Sequence, residues 1–303
     1  MSARRTFARP ARLAAIAPFL WLALFFLVPF GFVLKISLSQ TAVAQPPYLP
    51  VFDLTQGVAA FRAAAELSLD NYRLLVSDNL YVLSYLRSLV VAAVSTAILL
   101  VIGYPVAYGM ARLPSRWQGI AMMLVIVPFW TSFLIRIYAW INILQHDGLL
   151  NKLLLALHLV SAPVVWLSTD SAMYLGITYS YLPFMILPLY ATLAKMDPAL
   201  LEAASDLGAS PKQTFWLVTF PLSLPGVGAG ALLCFIPILG EFVIPDLLAG
   251  SGSLMIGQTL WLEFFTNKDW PVASAVAVVL LVLLVAPLAL YDRLQRRQLE
   301  QAR

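Results

Sequence analysis

One acidic side chain directly follows a long apolar stretch: Glu241 comes after residues 213–240, which contain no Asp, Glu, Lys or Arg. A carboxylate at the centre of a membrane costs about 2.5 to 3.5 kcal/mol on insertion scales, so an acid beside a span normally faces a cavity or a partner. Carboxylates and aromatic faces together bind organic cations such as diamines. The candidates for a cation pathway are Glu241, Asp246, Trp130, Tyr138, Tyr179, Tyr181 and Trp261.

Two more ordinary interpretations of the same residues stay open. Glu241 could be an acid at a helix end that pairs with Arg136 or Arg87. The aromatic side chains could form the belt that Trp and Tyr make at the interface between membrane and water. The partners of the Glu241 carboxylate distinguish these interpretations from a cation site.

Reactive groups are too few for most classes of enzyme. His146 and His158 share one segment between apolar runs, and the single cysteine, Cys234, lies inside such a run. A disulfide framework, a zinc site and the nucleophile with its base that an intramembrane hydrolase needs are therefore not indicated. The sequence has no G-x-x-x-x-G-K-[ST] loop to hold phosphates, so the chain is not expected to be an enzyme or to bind a cofactor or metal.

The composition identifies the surroundings that position these residues. The chain of 303 residues is 61% hydrophobic and 11% charged, with a mean hydropathy of +0.85, which is typical of a membrane protein. Its basic residues form no patch interleaved with aromatics, so nucleic acid is not an expected partner. A transmembrane helix needs about twenty apolar residues. Six charge-free runs reach that length: 13–34, 88–111, 117–135, 171–194, 213–240 and 270–291.

The third of these runs is irregular. Pro128 interrupts it and Arg136 follows it, but apolar residues resume as far as Leu144. We therefore extend this span to about residue 144 and expect a kink. The sequence thus predicts an all-α membrane protein with six transmembrane helices.

The distribution of charge predicts the orientation. With both termini in the cytoplasm, most of the 19 Lys and Arg residues lie inside, as the positive-inside rule requires. Tails 1–12 and 291–303 then flank a membrane domain 13–290, whose outer loops span about 39–80, 145–170 and 246–269. A cleaved secretory signal ending at residues 42–44 is the alternative, but run 13–34 exceeds the roughly 7 to 15 apolar residues of such signals.

One predicted cytoplasmic loop, residues 195–220, has the pattern of a short capped helix. Asp197 is a candidate N-cap, Pro198 falls at the first helical position, and Gly208 is the expected terminator, with Pro211 beyond it. Between the caps lies an apolar stripe: Leu200, Leu201, Ala204 and Leu207. A surface helix that merely closes a loop between spans would have the same pattern.

A spaced motif gives this loop a more specific meaning. Glu202-Ala203-Ala204 is followed by three residues, then Gly208, then nine residues, then Val218-Thr219-Phe220-Pro221. This resembles the EAA signature of the membrane subunits of ATP-binding-cassette (ABC) importers, which reads Glu-Ala-Ala, three residues, Gly, nine residues and Ile-x-Leu-Pro. The spacing agrees throughout, and Val218 and Phe220 are conservative departures. We call residues 195–220 the EAA loop.

The resemblance implies a type I ABC importer permease with the MetI-like fold, in the inner (plasma) membrane. It implies a coupling helix that docks into a groove of a cytoplasmic ABC ATPase dimer, which binds the ATP and Mg²⁺. It also implies a second, homologous permease subunit and a periplasmic or extracellular binding protein. The residues assigned to the coupling helix and its loop are Glu202, Ala203, Ala204, Asp206, Gly208 and Pro221.

Other segments indicate the type of importer. Residues 127–136, 147–151, 239–246 and 257–275 resemble the polyamine permeases, and the putrescine type more closely than the spermidine type. The resemblance implies that the chain forms part of the translocation pathway for a polyamine, delivered by a polyamine-binding protein. Spermidine or another small amine is the nearest alternative, and an ion-coupled carrier acting alone would not need the EAA signature.

Overall fold

The computed structural model describes residue 16 and residues 18–51, 67–250, 252 and 254–301. The predicted N-terminal tail 1–12 lies outside these residues. Nearly all of the described chain is helical. The elements are α1 (Pro18–Ser37), β1 (Gln40–Thr41), β2 (Tyr48–Leu49), α2 (Asp70–Ser77), α3 (Asn79–Arg112), α4 (Ser115–Ile126), α5 (Phe133–Leu144), α6 (Leu149–Ala156), α7 (Asp170–Leu193), α8 (Ala199–Asp206), α9 (Pro211–Thr214), α10 (Phe220–Leu239), α11 (Val243–Leu248), α12 (Ile256–Trp261) and α13 (Trp270–Gln301).

Short irregular helical turns interrupt or extend four of these helices. A 3₁₀ turn, Val127–Trp130, continues α4. The turns Ala23–Leu27, Phe215–Thr219 and Leu262–Thr266 are π-helical, and they lie within α1, before α10 and after α12. The last helix continues through Gln301, so most of the predicted tail 291–303 is helical.

Five helical segments of the described chain are long and apolar enough to cross a membrane, and the number is six if a bent pair of helices counts as one span. The members of that pair, Ser115–Trp130 and Phe133–Ala156, meet at 89°, so the third span is broken and not simply kinked. Pro128 removes a backbone donor, and Thr131 donates its hydroxyl to the Pro128 carbonyl at 2.7 Å. Thr131 and Ser132 are extended, which separates the two helices.

The chain divides into two compact units, each described by itself. In the unit formed by Leu80–Thr259 and Leu283–Arg303, α10 packs along α7. Glycines allow this approach, since a Cβ atom on Gly226 would lie 2.5 Å from Thr192 Oγ1 and one on Gly230 2.9 Å from Met185 Sδ. Small residues bring helices together in membranes, where apolar burial alone gives little driving force.

The other unit, Met1–Asn79 with Leu260–Val282, contains a small hairpin within the predicted outer loop 39–80. Strands β1 and β2 pair antiparallel. The Lys35 ammonium donates to the carbonyl of Pro50 and lies 4.4 Å from the ring centroid of Tyr48. Thr41 donates its hydroxyl to the Asp269 carboxylate at 2.6 Å. The described part of this loop is therefore folded against its own unit.

Candidate functional site

The first turn of the EAA loop helix is capped as predicted. The Asp197 carboxylate accepts the Ala199 N–H at 3.0 Å, and α8 begins at Ala199, one residue after the predicted start. Such a side-chain acceptor satisfies a backbone donor that has no partner within the helix.

Gly208 ends the same helix because its backbone adopts the left-handed conformation. Its φ is +82°, and the N–H groups of Gly208 and Ala209 donate to the carbonyls of Ser205 and Ala204 at 2.8 and 3.0 Å. This is the Schellman arrangement, which favours glycine because L side chains are strained at positive φ. In the described chain, no heavy atom other than those of Gly208 and its two chain neighbours lies within 4 Å of where a Cβ on Gly208 would stand. Backbone conformation, and not packing inside this chain, therefore selects glycine here.

The surface of α8 is mixed in character. Leu201 and Ala204 are half-buried, but Leu200 and Leu207 are 46% and 89% exposed, so the predicted apolar stripe lies only partly against the chain. The exposed face also carries three of the residues assigned to the coupling helix: Glu202, Ala203 and Asp206. Within the described chain these side chains are therefore left open to solvent or to another molecule.

A second capped helix, α9, follows α8 and begins the candidate membrane span Pro211–Leu239. Ser210 Oγ accepts the Gln213 N–H at 3.4 Å and Gln213 Oε1 accepts the Ser210 N–H at 2.8 Å, which forms a capping box at the start of α9. Pro221 lies in the first turn of α10 and has no N–H, so the Leu217 carbonyl has no donor four residues further on. The preceding turn widens to a π-helix, in which the Phe220 N–H bonds the Phe215 carbonyl.

Glu241 lies in the break between α10 and α11. One carboxylate oxygen accepts the N–H groups of Val243 and Ile244 at 3.0 and 3.4 Å, and the other accepts the hydroxyl hydrogen of Tyr181. The carboxylate therefore caps α11 and joins it to α7.

The alternative pairing of Glu241 with an arginine is wrong in this structure. Arg87 instead bonds Asp170 at 2.5 Å. Arg136 lies over the ring of Phe129, with its guanidinium carbon 4.5 Å from the ring centroid. A tyrosine and two backbone amides take the place of the expected cation.

The segment around Glu241 is tightly packed against the start of α12. A Cβ atom on Gly257 would lie 2.7 Å from the Glu241 carbonyl oxygen, so the two backbones are in contact. Ser88 of α3 accepts the Ile256 N–H at 2.8 Å, which fixes the start of α12 to a second helix. The close approach of the backbone at Glu241 explains the need for glycine at position 257.

The structure places the remaining pathway candidates in different settings. Tyr179 packs edge to face on Trp140, with centroids 5.5 Å apart, on the side of α7 away from Tyr181. Trp130 and Tyr138 are 76% and 54% exposed. Asp246 is exposed on α11, and Trp261 belongs to the other compact unit.

An aromatic row that the sequence analysis missed leads away from the Tyr181–Glu241 pair. Phe184 lies 6.1 Å from Tyr181 and 5.5 Å from Phe129, centroid to centroid. Beyond Phe129 stands Arg136, whose Nε and Nη1 atoms are buried without a hydrogen-bond partner in the described chain. The spacing of Tyr181 and Phe184 on one helical face was the signal available in the sequence.

Asn151, in a segment singled out only for its resemblance, organises the described residues 146–166. Its buried amide donates to the carbonyls of His146 and Val164 at 3.0 and 2.9 Å. Its oxygen accepts the Val164 N–H at 3.0 Å and the Trp166 indole N–H at 3.1 Å. The side chain thereby uses its full hydrogen-bonding capacity.

Known proteins similar to this chain agree on its class. Residues 100–300 match the family model described as "Binding-protein-dependent transport system inner membrane component". The spermidine/putrescine transport system permease protein PotB of Salmonella typhimurium strain SL1344 is 41% identical over 243 residues, covering 80% of this chain and 84% of that protein. PotB of Haemophilus influenzae is 38% identical over 275 residues, covering 91% and 90%.

A solved structure agrees with the predicted fold. A bacterial alginate ABC transporter, crystallised in complex with an alginate pentasaccharide-bound periplasmic protein, superposes with a TM-score of 0.72 over 95% of this chain and 94% of that one, at 14% identity. The prediction of a helical, multi-pass inner-membrane protein with the MetI-like fold is thereby confirmed. By the extent of these matches, the chain belongs to the family of inner-membrane components of binding-protein-dependent transport systems, the permease subunits of ABC importers.

Proposed function

We propose that this chain is a permease subunit of an ATP-driven importer of polyamines, with putrescine as the expected cargo. The observation that carries the proposal is its 41% identity to a permease named for spermidine and putrescine. The exposed, doubly capped helix α8 supports the ATP-driven part, because it carries the EAA signature on a surface free to dock.

Helix α8 docks into a groove on one subunit of a cytoplasmic ATPase dimer. Ala203, Ala204 and Gly208 are small enough for close approach, Glu202 supplies a charge-assisted hydrogen bond, and Asp206 adds a second acid. Pro221 lies in the first turn of α10, the helix that receives the movement. ATP and Mg²⁺ are bound by the ATPase, and hydrolysis takes place there.

The complete importer needs further chains. A second, homologous permease completes the pathway, and a periplasmic or extracellular binding protein delivers the polyamine, as the alginate transporter is accompanied by a periplasmic protein. Both termini lie in the cytoplasm, so that α8 faces the ATPase. The inner (plasma) membrane surrounds the spans.

Glu241 is the proposed point at which the cargo meets this chain. A protonated amine competes with the Tyr181 hydroxyl for the carboxylate, since both are hydrogen-bond donors to the same oxygen. Trp130, Tyr138, Tyr179 and Trp261 provide aromatic faces along the proposed route, and Asp246 provides a second carboxylate.

Uptake of labelled putrescine tests the proposal in cells that lack this chain but retain the other subunits. Cells complemented with the native chain should recover ATP-dependent uptake, and those with Glu202→Ala plus Gly208→Asp should not. Ser205→Ala, on the exposed surface of the same helix, is the matched control and should behave as the native chain does.

The other outcomes identify which part of the proposal fails. Native complementation without uptake rejects putrescine, and competition with unlabelled spermidine then tests the neighbouring cargo. Equal uptake with native and doubly substituted chains rejects the coupling role of α8. Uptake that persists after ATP is withdrawn at constant ion gradients indicates a carrier acting alone.

A further inference from the structure

Aromatic side chains from two helices meet where the EAA loop enters the membrane. Phe215 opens the π-helical turn before α10, and its ring centroid lies 5.7 Å from that of Tyr104 and 5.9 Å from that of Tyr108, both edge to face. Phe220 lies 5.9 Å from Tyr104. Such pairs are favourable and depend on orientation. We call Tyr104, Tyr108, Phe215 and Phe220 the aromatic cluster.

A hydrogen bond of defined direction joins the same helices. The oxygens of Tyr104 and Ser223 lie 2.9 Å apart in a buried position, and the Ser223 hydroxyl donates to the Phe220 carbonyl at 2.8 Å. Because Ser223 has a single hydroxyl hydrogen, Tyr104 is the donor in the first of these bonds. Both the ring and the hydroxyl of Tyr104 therefore attach helix α3 to the first turn of α10.

The aromatic cluster is one step from the docking helix. Helix α8 contacts α9 and the π-helical turn that Phe215 opens. A π-helical turn departs from the regular hydrogen-bond register, and such turns occur frequently at functional sites. Because α8 contacts this turn and packed rings resist compression, the Phe215–Tyr104 pair offers a path by which movement of α8 can reach α3.

Resting on the proposed function, we infer that Phe215 and Tyr104 are positioning residues that transmit movement of α8 to helices α3 and α10. In the proposed function the nucleotide is bound by the ATPase, so both residues act through other groups. Their role is to keep ATP hydrolysis and transport in step. Loss of the contact should leave a complex that hydrolyses ATP without moving cargo in proportion.

The test is the number of ATP molecules hydrolysed per putrescine imported by the whole complex in vesicles, with its binding protein. Phe215→Leu removes both edge-to-face pairs and should lower uptake about tenfold while hydrolysis stimulated by the loaded binding protein changes less than about twofold. Tyr104→Phe keeps the ring but loses the donor to Ser223, so its ratio should rise by about two- to threefold. Leu217→Ala, an exposed residue of the same turn, is the matched control and should keep the native ratio.

Three outcomes count against the inference in different ways. An unchanged ratio in Phe215→Leu, with a native complex that imports putrescine, overturns the inference alone. A parallel loss of uptake, hydrolysis and assembled complex assigns Phe215 a structural role and also overturns it. A native complex that hydrolyses ATP but imports no polyamine overturns the proposed function, and the inference that rests on it falls as well.

Discussion

The hydroxyl of Tyr181 donates a hydrogen bond to the carboxylate of Glu241, although 60 positions separate the two residues in the chain. Tyr181 belongs to α7, and Glu241 lies in the break between α10 and α11. The other carboxylate oxygen caps α11. One acidic group therefore holds a helix break in place and offers an oxygen to a competing donor, and substitutions can separate these two roles.

The Tyr181→Phe variant should bind cargo more tightly if an ammonium group competes for Glu241. The substitution keeps the ring and removes only the competing hydroxyl, so the KM for putrescine uptake should fall about threefold, a fraction of the value of one hydrogen bond to a charged group. Initial uptake rates over a range of putrescine concentrations measure the change.

A matched control for this variant is Tyr174→Phe on the same helix. It removes a hydroxyl that does not contact Glu241, and the KM should stay at the native value. An increased KM in Tyr181→Phe would mean that the hydroxyl binds cargo directly or orients the carboxylate for it, and competition would be the wrong description.

The Glu241→Gln variant should separate charge from capping. The amide oxygen can still accept the Val243 and Ile244 N–H groups, so the break between α10 and α11 should hold. The attraction for an ammonium group is lost, and the KM should rise about tenfold or more, equivalent to about 1.4 kcal/mol.

Glu241→Ala provides the comparison, since it removes both charge and cap. It should lower the thermal stability of the purified complex by an amount that corresponds to about 0.5 to 2 kcal/mol, whereas Glu241→Gln should not. A native KM in the Gln variant would remove Glu241 from the cargo pathway and leave it as a helix cap.

Features governed by local rules could be predicted from the sequence, and those that depend on distant partners could not. Asp197 and Gly208 act within a few residues of themselves, and their cap and terminator roles follow from residue type and spacing. The partner of Glu241 comes from another helix, and opposite charge, the one cue that a sequence gives at that range, indicates only arginines as partners within the chain. The break after Pro128 could likewise be predicted only in part. A proline indicates that a backbone donor is missing, but it does not indicate the 89° angle between the two helices.

Two substitutions of Gly208 should have one order when ranked by the stability of the isolated permease and the opposite order when ranked by how much ATPase they retain. Asparagine tolerates positive φ better than alanine, for which the left-handed conformation costs about 1 to 2 kcal/mol, so Gly208→Asn should be the more stable permease. A close ATPase surface would oppose the larger side chain, so Gly208→Asn should retain less ATPase on co-purification than Gly208→Ala does. Thermal unfolding and the yield of co-purified ATPase measure the two orders. The same order in both assays would mean that backbone strain alone explains the glycine.

Asn151 should be the residue on which the order of the described segment 146–166 depends most. In Asn151→Leu the Val164 N–H, the Trp166 indole N–H and two carbonyls lose their partner, and each buried group left unsatisfied costs about 1 to 3 kcal/mol. Amide hydrogen exchange in this segment should accelerate at least tenfold, which corresponds to about 1.4 kcal/mol. Asn151→Asp keeps the two acceptor functions and loses the two donors, so its exchange should be intermediate.

Asn142→Leu is the matched control for that experiment, because Asn142 is exposed and makes one hydrogen bond, to the carbonyl of Tyr138 at 2.8 Å. It should leave exchange in residues 146–166 unchanged. Accelerated exchange in both variants would indicate a general loosening of the fold, and native exchange in Asn151→Leu would mean that backbone contacts alone hold the segment. If only Asn151→Leu responds, and uptake falls most at low concentrations of the loaded binding protein, the segment ordered by Asn151 forms part of the surface on which that protein docks.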